Sequence, residues 1–94
     1  MSPNHTAVLV AGGAGFIGSN LCHYLVSEGK NVLCIDNLST GCMENISLLL
    51  DKPNFRFLQH DITHPFFYEE EMPLGAIYNF ACPASPIKMH FIIS

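Results

Sequence analysis

The stretch AVLVAGGAGFIG, residues 7–18, decides how this 94-residue chain folds. Its first five residues are apolar and predict a buried strand, and glycines follow at positions 12, 15 and 18. A glycine removes the Cβ atom where a backbone turns tightly, meets a ligand closely or packs a helix against a strand. Apolar residues at 17, 21, 24 and 25 then recur at helical spacing, and a helix stop is expected at Gly29. We therefore predict a strand, a tight turn and a helix.

A second predicted strand follows the helix and ends in an acidic residue. Residues 31–35 read NVLCI, and Asp36 comes 18 residues beyond Gly18. In strand–turn–helix units of this kind, the helix N-terminus faces the phosphates of a dinucleotide and the acid accepts hydrogen bonds from the adenosine ribose. A carboxylate there repels a 2′-phosphate, so the pattern favours NAD over NADP. A tight glycine turn followed by an acid that only caps a loop remains the alternative.

Charge and composition argue against several classes of protein. The net charge is −4 with four Lys and Arg residues, which disfavours a surface for nucleic acid or anionic membranes. No signal peptide or membrane-spanning segment is expected, so we predict a cytoplasmic location. The four cysteines at 22, 34, 42 and 82 are expected to be free thiols. No metal site is expected at His60 and His64, because side chains four apart at a strand end do not converge.

The rest of the chain continues the alternation of strands and connections. We predict a polar loop at 37–41, a short helix at 44–50, a third strand at 55–60, an irregular segment at 63–75 and a fourth strand at 76–81. The loop either wraps the adenosine half of a dinucleotide or only connects two elements. The predicted fold class is α/β: a parallel sheet in the order 3-2-1-4 with flanking helices and the fourth strand at an edge.

Mean hydropathy is +0.28 and 13% of residues are charged, so we expect part of the surface to be apolar and to contact a partner.

Five motifs give the chain, from residue 7 to about residue 88, a resemblance to a known family. They are the glycine segment 12–18, Asp36-Asn37 with Ser39-Thr40-Gly41, Glu44-Asn45-Ile46, His60-Asp61-Ile62 and Ala81-Cys82-Pro83-Ala84-Ser85-Pro86. The first resembles the cofactor motif of the extended short-chain dehydrogenase/reductases, which sugar epimerases and dehydratases share. The last is similar to the UDP-glucuronate decarboxylases, because epimerases and dehydratases usually carry a different segment there. The resemblance implies the first four strands of a Rossmann-type sheet.

The resemblance also implies which residues bind the cofactor and the substrate. Cofactor positions lie in the glycine segment, in the polar loop and at strand ends: Gly12, Gly15, Phe16, Ile17, Gly18, Asp36, Asn37, Ser39, Thr40, Gly41, Asp61, Ile62, Phe80 and Cys82. The positions that touch a nucleotide sugar in the family are Phe66 and Phe67. The chain departs from the family at Phe67, where tyrosine is common, and at Cys42 and Met43, which replace a basic pair.

The chemistry of the family implies that this chain lacks the catalytic residues. Bound NAD oxidises the C4 hydroxyl of UDP-glucuronate, the β-keto acid loses CO2, and NADH reduces the ketone to give UDP-xylose. The reaction needs a tyrosine base with a lysine four residues later. No tyrosine here has one at that spacing: Tyr24, Tyr68 and Tyr78 are followed by Glu28, Met72 and Cys82.

We therefore expect residues 1–94 to form the amino-terminal half of an NAD-binding domain, without the catalytic and substrate regions. Such a chain should not turn over UDP-glucuronate alone. It is expected to self-associate or to pair with a complementing half through the edge strand. The alternatives are an NAD-binding module without chemistry, a non-catalytic remnant, or part of a nucleotide-sugar 4,6-dehydratase or 4-epimerase.

Overall fold

The computed structural model describes residues 6–38, 42–61, 64–68, 72–80 and 89–91. Within these ranges the chain forms six strands, one α-helix and two short 3₁₀ turns. In chain order they are β1 (Ala7–Ala11), α1 (Phe16–Ser27), β2 (Asn31–Asp36), the 3₁₀ turns Met43–Asn45 and Ser47–Leu49, β3 (Phe55–Gln59), β4 (Phe66–Tyr68), β5 (Leu74–Asn79) and β6 (Met89–Phe91).

Four of the strands form one parallel sheet in the order β3-β2-β1-β5. Since β5 is the fourth strand of this sheet along the chain, the predicted order 3-2-1-4 is confirmed. The central strands β1 and β2 are buried along nearly their whole length, as in parallel sheets that are covered on both faces. In contrast, β5 contains no buried residue, and three of its six residues are exposed. In the strand order of the described residues, β5 is an edge of the sheet.

Two apolar clusters cover the two faces of the sheet. One cluster joins α1 and the 3₁₀ turns to the sheet, and it contains Val10, Ala14, Cys22, Leu25, Val32, Cys34, Ile46, Leu49 and Phe55. The other contains Leu9, Ala11, Leu33, Ile35 and Tyr68. Neighbouring residues of β1 fall in different clusters because successive side chains of a strand point to opposite faces. The sheet thus separates two packed layers.

The segment 63–75 was expected to be irregular, and this prediction was wrong. It contains β4, which pairs in parallel with β6 in a second, two-stranded sheet. Tyr68 of β4 is buried in the apolar cluster, and its hydroxyl donates a hydrogen bond to the Met72 carbonyl. The fourth strand of the main sheet also begins earlier than predicted, because Leu74 already pairs with Ala7.

The helix expected at 44–50 was also wrong in type. The N–H groups of Ile46 and Leu49 donate to carbonyls three residues back, so the backbone forms 3₁₀ turns and not an α-helix. In an α-helix over 44–50 the apolar residues Ile46, Leu49 and Leu50 would share one face; in the structure Ile46 and Leu49 are buried, whereas Leu50 is exposed. The tighter winding explains this, since three residues per turn eclipse positions 46 and 49 and turn position 50 away.

The helix after the glycine segment is confirmed, but its buried face consists largely of small residues. Gly18, Ser19, Cys22 and Leu25 are buried, while Ile17 and Tyr24 are exposed. Small residues face the sheet because the glycine turn brings the start of α1 close to β1. No helix in the described ranges is long and apolar enough to cross a membrane.

Candidate functional site

The carboxyl ends of the four parallel strands meet along one rim of the sheet. Three backbone hydrogen bonds link residues there: Gly12 N to Ile35 O (2.7 Å), His60 N to Asp36 O (3.0 Å) and Phe80 N to Ala11 O (2.8 Å). The glycine turn, residues 12–15, leaves β1 at this rim and leads into α1. Ligands of open parallel α/β sheets bind in the crevice outside the strand ends, so this rim is the candidate site.

Three glycines in the turn and in the first part of α1 are required, one by its backbone conformation and two by close packing. Gly12 has φ +78°, a conformation that side chains disfavour. A Cβ at Gly18 would lie within 3.0 Å of backbone atoms of Gly12 and Gly13. A Cβ at Gly13 would lie equally close to the Sγ of Cys34. The sequence reasoning assigned roles to positions 12 and 18 but missed position 13, because the facing Cys34 comes from another strand.

Gly15 differs, because the fold does not demand a glycine there. Its φ of −75° and ψ of 174° form an extended conformation that any residue adopts. A Cβ there would have one contact within 4 Å outside its chain neighbours, 3.4 Å from the Gly12 carbonyl oxygen. Gly15 is the N-cap of α1, with no side-chain cap, and the first turn has no acidic residue. The first N–H groups of a helix lack intrahelical acceptors, so this end suits an anion.

Asp36 is buried at the end of β2 and contacts the glycine turn directly. Its Oδ2 accepts a hydrogen bond from the Ala14 N–H at 3.0 Å, and its Oδ1 accepts one from the Leu38 N–H at 2.7 Å. Leu38 has φ +64°, so this second bond holds an unfavourable conformation at the start of the loop. The carboxylate therefore shapes the site as well as facing it. Each carboxylate oxygen can accept a further hydrogen bond from a ligand.

Asn45 approaches the same turn from the other side. Its Nδ2 donates to the Ala14 carbonyl oxygen at 2.8 Å, and the Cys42 N–H donates to that oxygen at 3.0 Å. The His23 Nε2–H donates to the Asn45 carbonyl oxygen at 3.0 Å. Asn45 is part of the Glu44-Asn45-Ile46 motif that contributes to the family resemblance, but the resemblance assigns it no contact with cofactor or substrate. Its contact with the turn joins residues 31 apart, and no local pattern in the sequence indicates such a bond.

The rim brings together some of the predicted site residues. Gly12, Gly15, Gly18, Asp36, Asn37, Asp61 and Phe80 all lie in the glycine turn, in the first turn of α1, at a strand end or just beyond one. Phe16 and Ile17 open α1 and are 79% and 65% exposed. Phe67 is exposed on β4, outside the four-stranded sheet. Ser39, Thr40, Gly41, Ile62, Cys82 and the side chain of Phe66 lie outside the described residues.

Two buried thiols lie directly beneath the turn. Cys22 of α1 and Cys34 of β2 are both fully buried and both face the position of a Cβ at Gly13. The pKa of Cys34 is raised far above its ordinary value, mainly by a hydrogen bond with the Cys22 thiol and to a lesser extent by burial. Cys22, Cys34 and Cys42 are free, as predicted, and Cys82 is not among the described residues.

In the part of the chain that is described, no cluster of three or more His, Cys, Asp or Glu residues could hold a metal.

A parallel sheet whose first strand runs through a glycine turn into a helix, with an acid ending the second strand, defines the Rossmann class of α/β proteins. The family model described as GDP-mannose 4,6 dehydratase matches residues 9–91. The chain belongs to this family.

Named relatives and solved structures agree with that assignment. UDP-glucuronic acid decarboxylase 4 of Arabidopsis thaliana is 43% identical over 84 residues, which cover 89% of this chain and 18% of the relative. The structure of dTDP-glucose 4,6-dehydratase from Bacillus anthracis in complex with NAD is 31% identical, with a TM-score of 0.68 over 81% of this chain and 26% of that one. WbmG of Bordetella bronchiseptica, in complex with NAD and UDP, is 33% identical, with a TM-score of 0.56 over 64% of this chain and 18% of that one. The resemblance to decarboxylases among the extended short-chain dehydrogenase/reductases is therefore confirmed. The chain spans about a fifth of the length of the curated relative.

Proposed function

We propose that this chain binds NAD as the amino-terminal half of the NAD-binding domain of a UDP-glucuronate decarboxylase-like enzyme. The observation that carries the proposal is Gly15. Its conformation and its surroundings would accept a side chain, yet it lies at the uncapped N-terminus of α1. A glycine that the fold does not require, at a helix end that favours anions, fits the close approach of a pyrophosphate.

The residues of the rim fit the remaining parts of the dinucleotide. Asp36, at the end of β2, would accept hydrogen bonds from the adenosine ribose, and its negative charge would disfavour a 2′-phosphate. The resemblance gives the cofactor positions, and their order along the sheet divides them: we assign the adenosine side to the residues that follow β2 and β3 (Asn37, Ser39, Thr40, Gly41, Asp61 and Ile62) and the nicotinamide side to those that follow β5 (Phe80 and Cys82). The strand order supports this division, because β3 and β5 lie on opposite sides of the glycine turn.

NAD bound in the complete enzyme would supply a hydride acceptor and return the hydride later. In that reaction carbon C4 of the sugar would give up a hydride and its hydroxyl a proton. The resulting β-keto acid would release CO2 and take up a proton at C5, and the ketone would regain a hydride at C4 and a proton on its oxygen. In this account the present residues bind and orient the dinucleotide, and Phe66 and Phe67 contact the nucleotide sugar. The proton transfers fall to a Tyr-x-x-x-Lys pair that these 94 residues do not contain. The chain alone should therefore bind NAD without turnover.

The exposed edge strand β5 favours association with another chain. In the described sheet β5 pairs with β1 at the end of the strand order, and its residues Ile77 and Tyr78 are exposed. An open hollow of about 530 Å³ lies along the same strand, lined by Tyr68, Pro73, Leu74, Gly75, Ala76 and Ile77. An apolar edge of this kind recruits another strand. We propose that the isolated chain self-associates there, at the position that a complementing half would otherwise occupy.

A second candidate is part of a nucleotide-sugar 4,6-dehydratase or 4-epimerase, because the matching family model is described as a dehydratase.

Calorimetric titration of the chain with NAD and with NADP tests the NAD binding that both candidates require. We expect saturable binding of NAD and at least tenfold weaker binding of NADP. Absence of NAD binding would leave the non-catalytic remnant as the interpretation.

A further inference from the structure

The Ala14 peptide groups are held from both sides. Ala14 is fully buried, and its N–H donates to the Asp36 carboxylate at 3.0 Å. Its carbonyl oxygen accepts hydrogen bonds from the Asn45 Nδ2 at 2.8 Å and from the Cys42 N–H at 3.0 Å. The residue in front of the helix N-cap is thus fixed by the strand that precedes the loop and by the 3₁₀ turn that follows it.

The Ala14 carbonyl and the Gly15 N–H belong to one peptide group, which is planar. A hydrogen bond that orients the carbonyl oxygen therefore also orients this N–H. The Gly15 N–H lies 3.2 Å from the Gly12 carbonyl oxygen, at the long end of the normal range. That bond alone holds the peptide weakly, so the two donors on the Ala14 oxygen carry much of the orientation.

Asn45 is itself held in place by hydrogen bonds from α1 and within its own 3₁₀ turn. The His23 Nε2–H, from the middle of α1, donates to the Asn45 carbonyl at 3.0 Å. The Asn45 N–H donates to the Cys42 carbonyl at 3.0 Å. The amide that reaches the glycine turn is therefore part of a closed network between α1, the 3₁₀ turn and the turn itself.

We infer that Asn45 is a positioning residue for the cofactor: its side-chain amide sets the plane of the Ala14–Gly15 peptide and thereby the approach of the dinucleotide phosphates to the start of α1. This inference rests on the proposed NAD site. Asn45 touches the backbone of the turn and acts on the ligand through it.

A purely structural role is the competing explanation, and Asn54 offers a matched control. The Asn54 Nδ2 also donates to backbone carbonyls, those of Val26 at 3.3 Å and Lys30 at 2.7 Å. These carbonyls lie at the C-terminal end of α1, away from the glycine turn. Replacing either asparagine removes side-chain hydrogen bonds to backbone carbonyls next to the same helix, but only one of them faces the candidate site.

The test compares Asn45→Ala, Asn45→Asp and Asn54→Ala. Aspartate keeps the shape of asparagine but cannot donate to the Ala14 oxygen when ionised. We expect both Asn45 variants to raise the Kd for NAD about tenfold, the effect of one net hydrogen bond. Asn54→Ala should change the Kd less than twofold while lowering stability. Equal NAD affinity in the Asn45 variants and Asn54→Ala would overturn the inference.

A second measurement needs no ligand. Amide hydrogen exchange at Gly15, read by NMR in the unliganded chain, should be about tenfold faster in the Asn45 variants, again the equivalent of one hydrogen bond. It should be unchanged in Asn54→Ala. If the wild-type chain fails to bind NAD, the proposed function fails and this exchange still tests the positioning. If NAD binds and the Gly15 exchange does not respond to Asn45, the inference alone fails.

Discussion

The Oδ2 of Asp36 accepts a hydrogen bond from the N–H of Ala14 at 3.0 Å, across 22 residues of sequence. The acid that the sequence suggests for ribose binding therefore also builds the glycine turn. A carboxylate with both roles links cofactor affinity to the stability of the unliganded turn. Loss of this side chain should consequently affect two different measurements.

Asp36→Ala should weaken NAD binding by roughly 1.5–3 kcal/mol, the value of hydrogen bonds to a charged group. The same change leaves the buried Ala14 N–H without its acceptor, which should cost about 1–3 kcal/mol of unfolding free energy. Calorimetry and urea unfolding measure the two effects. Asp51→Ala, which removes an exposed acid, is the control and should change neither. Unchanged NAD affinity in Asp36→Ala would refute the ribose assignment.

The buried thiol pair should make stability depend on alkaline pH. The pKa of Cys34 lies above its ordinary value of 9.0 in the folded chain, through its hydrogen bond with Cys22 and through burial. Below about pH 9, the ordinary thiol pKa, Cys34 is protonated in both the folded and the unfolded chain. Above that pH the unfolded chain loses the proton while the folded chain keeps it. The unfolding free energy therefore falls as pH rises, by up to about 1.4 kcal/mol per pH unit.

Urea unfolding from about pH 8 to about pH 10 measures this slope, a window that brackets the ordinary thiol value. Cys34→Ser removes the ionisable thiol and should flatten it. Alkylation gives an independent check, because only a thiolate reacts readily. Peptide mapping should find exposed Cys42 modified and buried Cys22 and Cys34 protected in the folded chain. Equal slopes in wild type and Cys34→Ser would contradict the raised pKa.

The edge strand makes a prediction about assembly. Ile77 and Tyr78 on β5 are 47% and 43% exposed, and Ile77 lines an apolar hollow along the same strand. We expect the chain to self-associate with increasing concentration in analytical ultracentrifugation. Ile77→Lys places a charge on this edge and should shift the population toward monomer. Leu48→Lys, at an exposed apolar residue of a 3₁₀ turn, is the control. A monomeric wild-type chain at every concentration would rule out the edge as an interface.

Patterns within the sequence predicted the four-stranded sheet because its signals are local. The bounds of β1 follow directly from a five-residue apolar run between a polar segment and Gly12. The order of the sheet follows from right-handed connections between parallel strands. The end of β2 at Asp36 follows in the same way from the change from apolar to polar residues.

What the sequence did not predict depends on contacts between distant residues. The 3₁₀ turns share their apolar spacing with an α-helix, so Ile46 and Leu49 fit either structure. The pairing of β4 with β6 joins Phe66 to Met89, and no local pattern indicates that partnership. The bonds from Asp36 and Asn45 to Ala14 likewise depend on the completed fold.

The central claim is that the dinucleotide approaches the backbone at Gly15, and Gly15→Ala tests it most directly. The conformation of Gly15 suits alanine and the new Cβ would lie 3.4 Å from the Gly12 carbonyl oxygen, so the variant should fold with near wild-type stability. Asn20→Ala, at an exposed position of α1, is the matched control. The account predicts that Gly15→Ala raises the Kd for NAD at least tenfold, about 1.4 kcal/mol, while the control does not. A folded Gly15→Ala variant that binds NAD as tightly as the wild-type chain would contradict it.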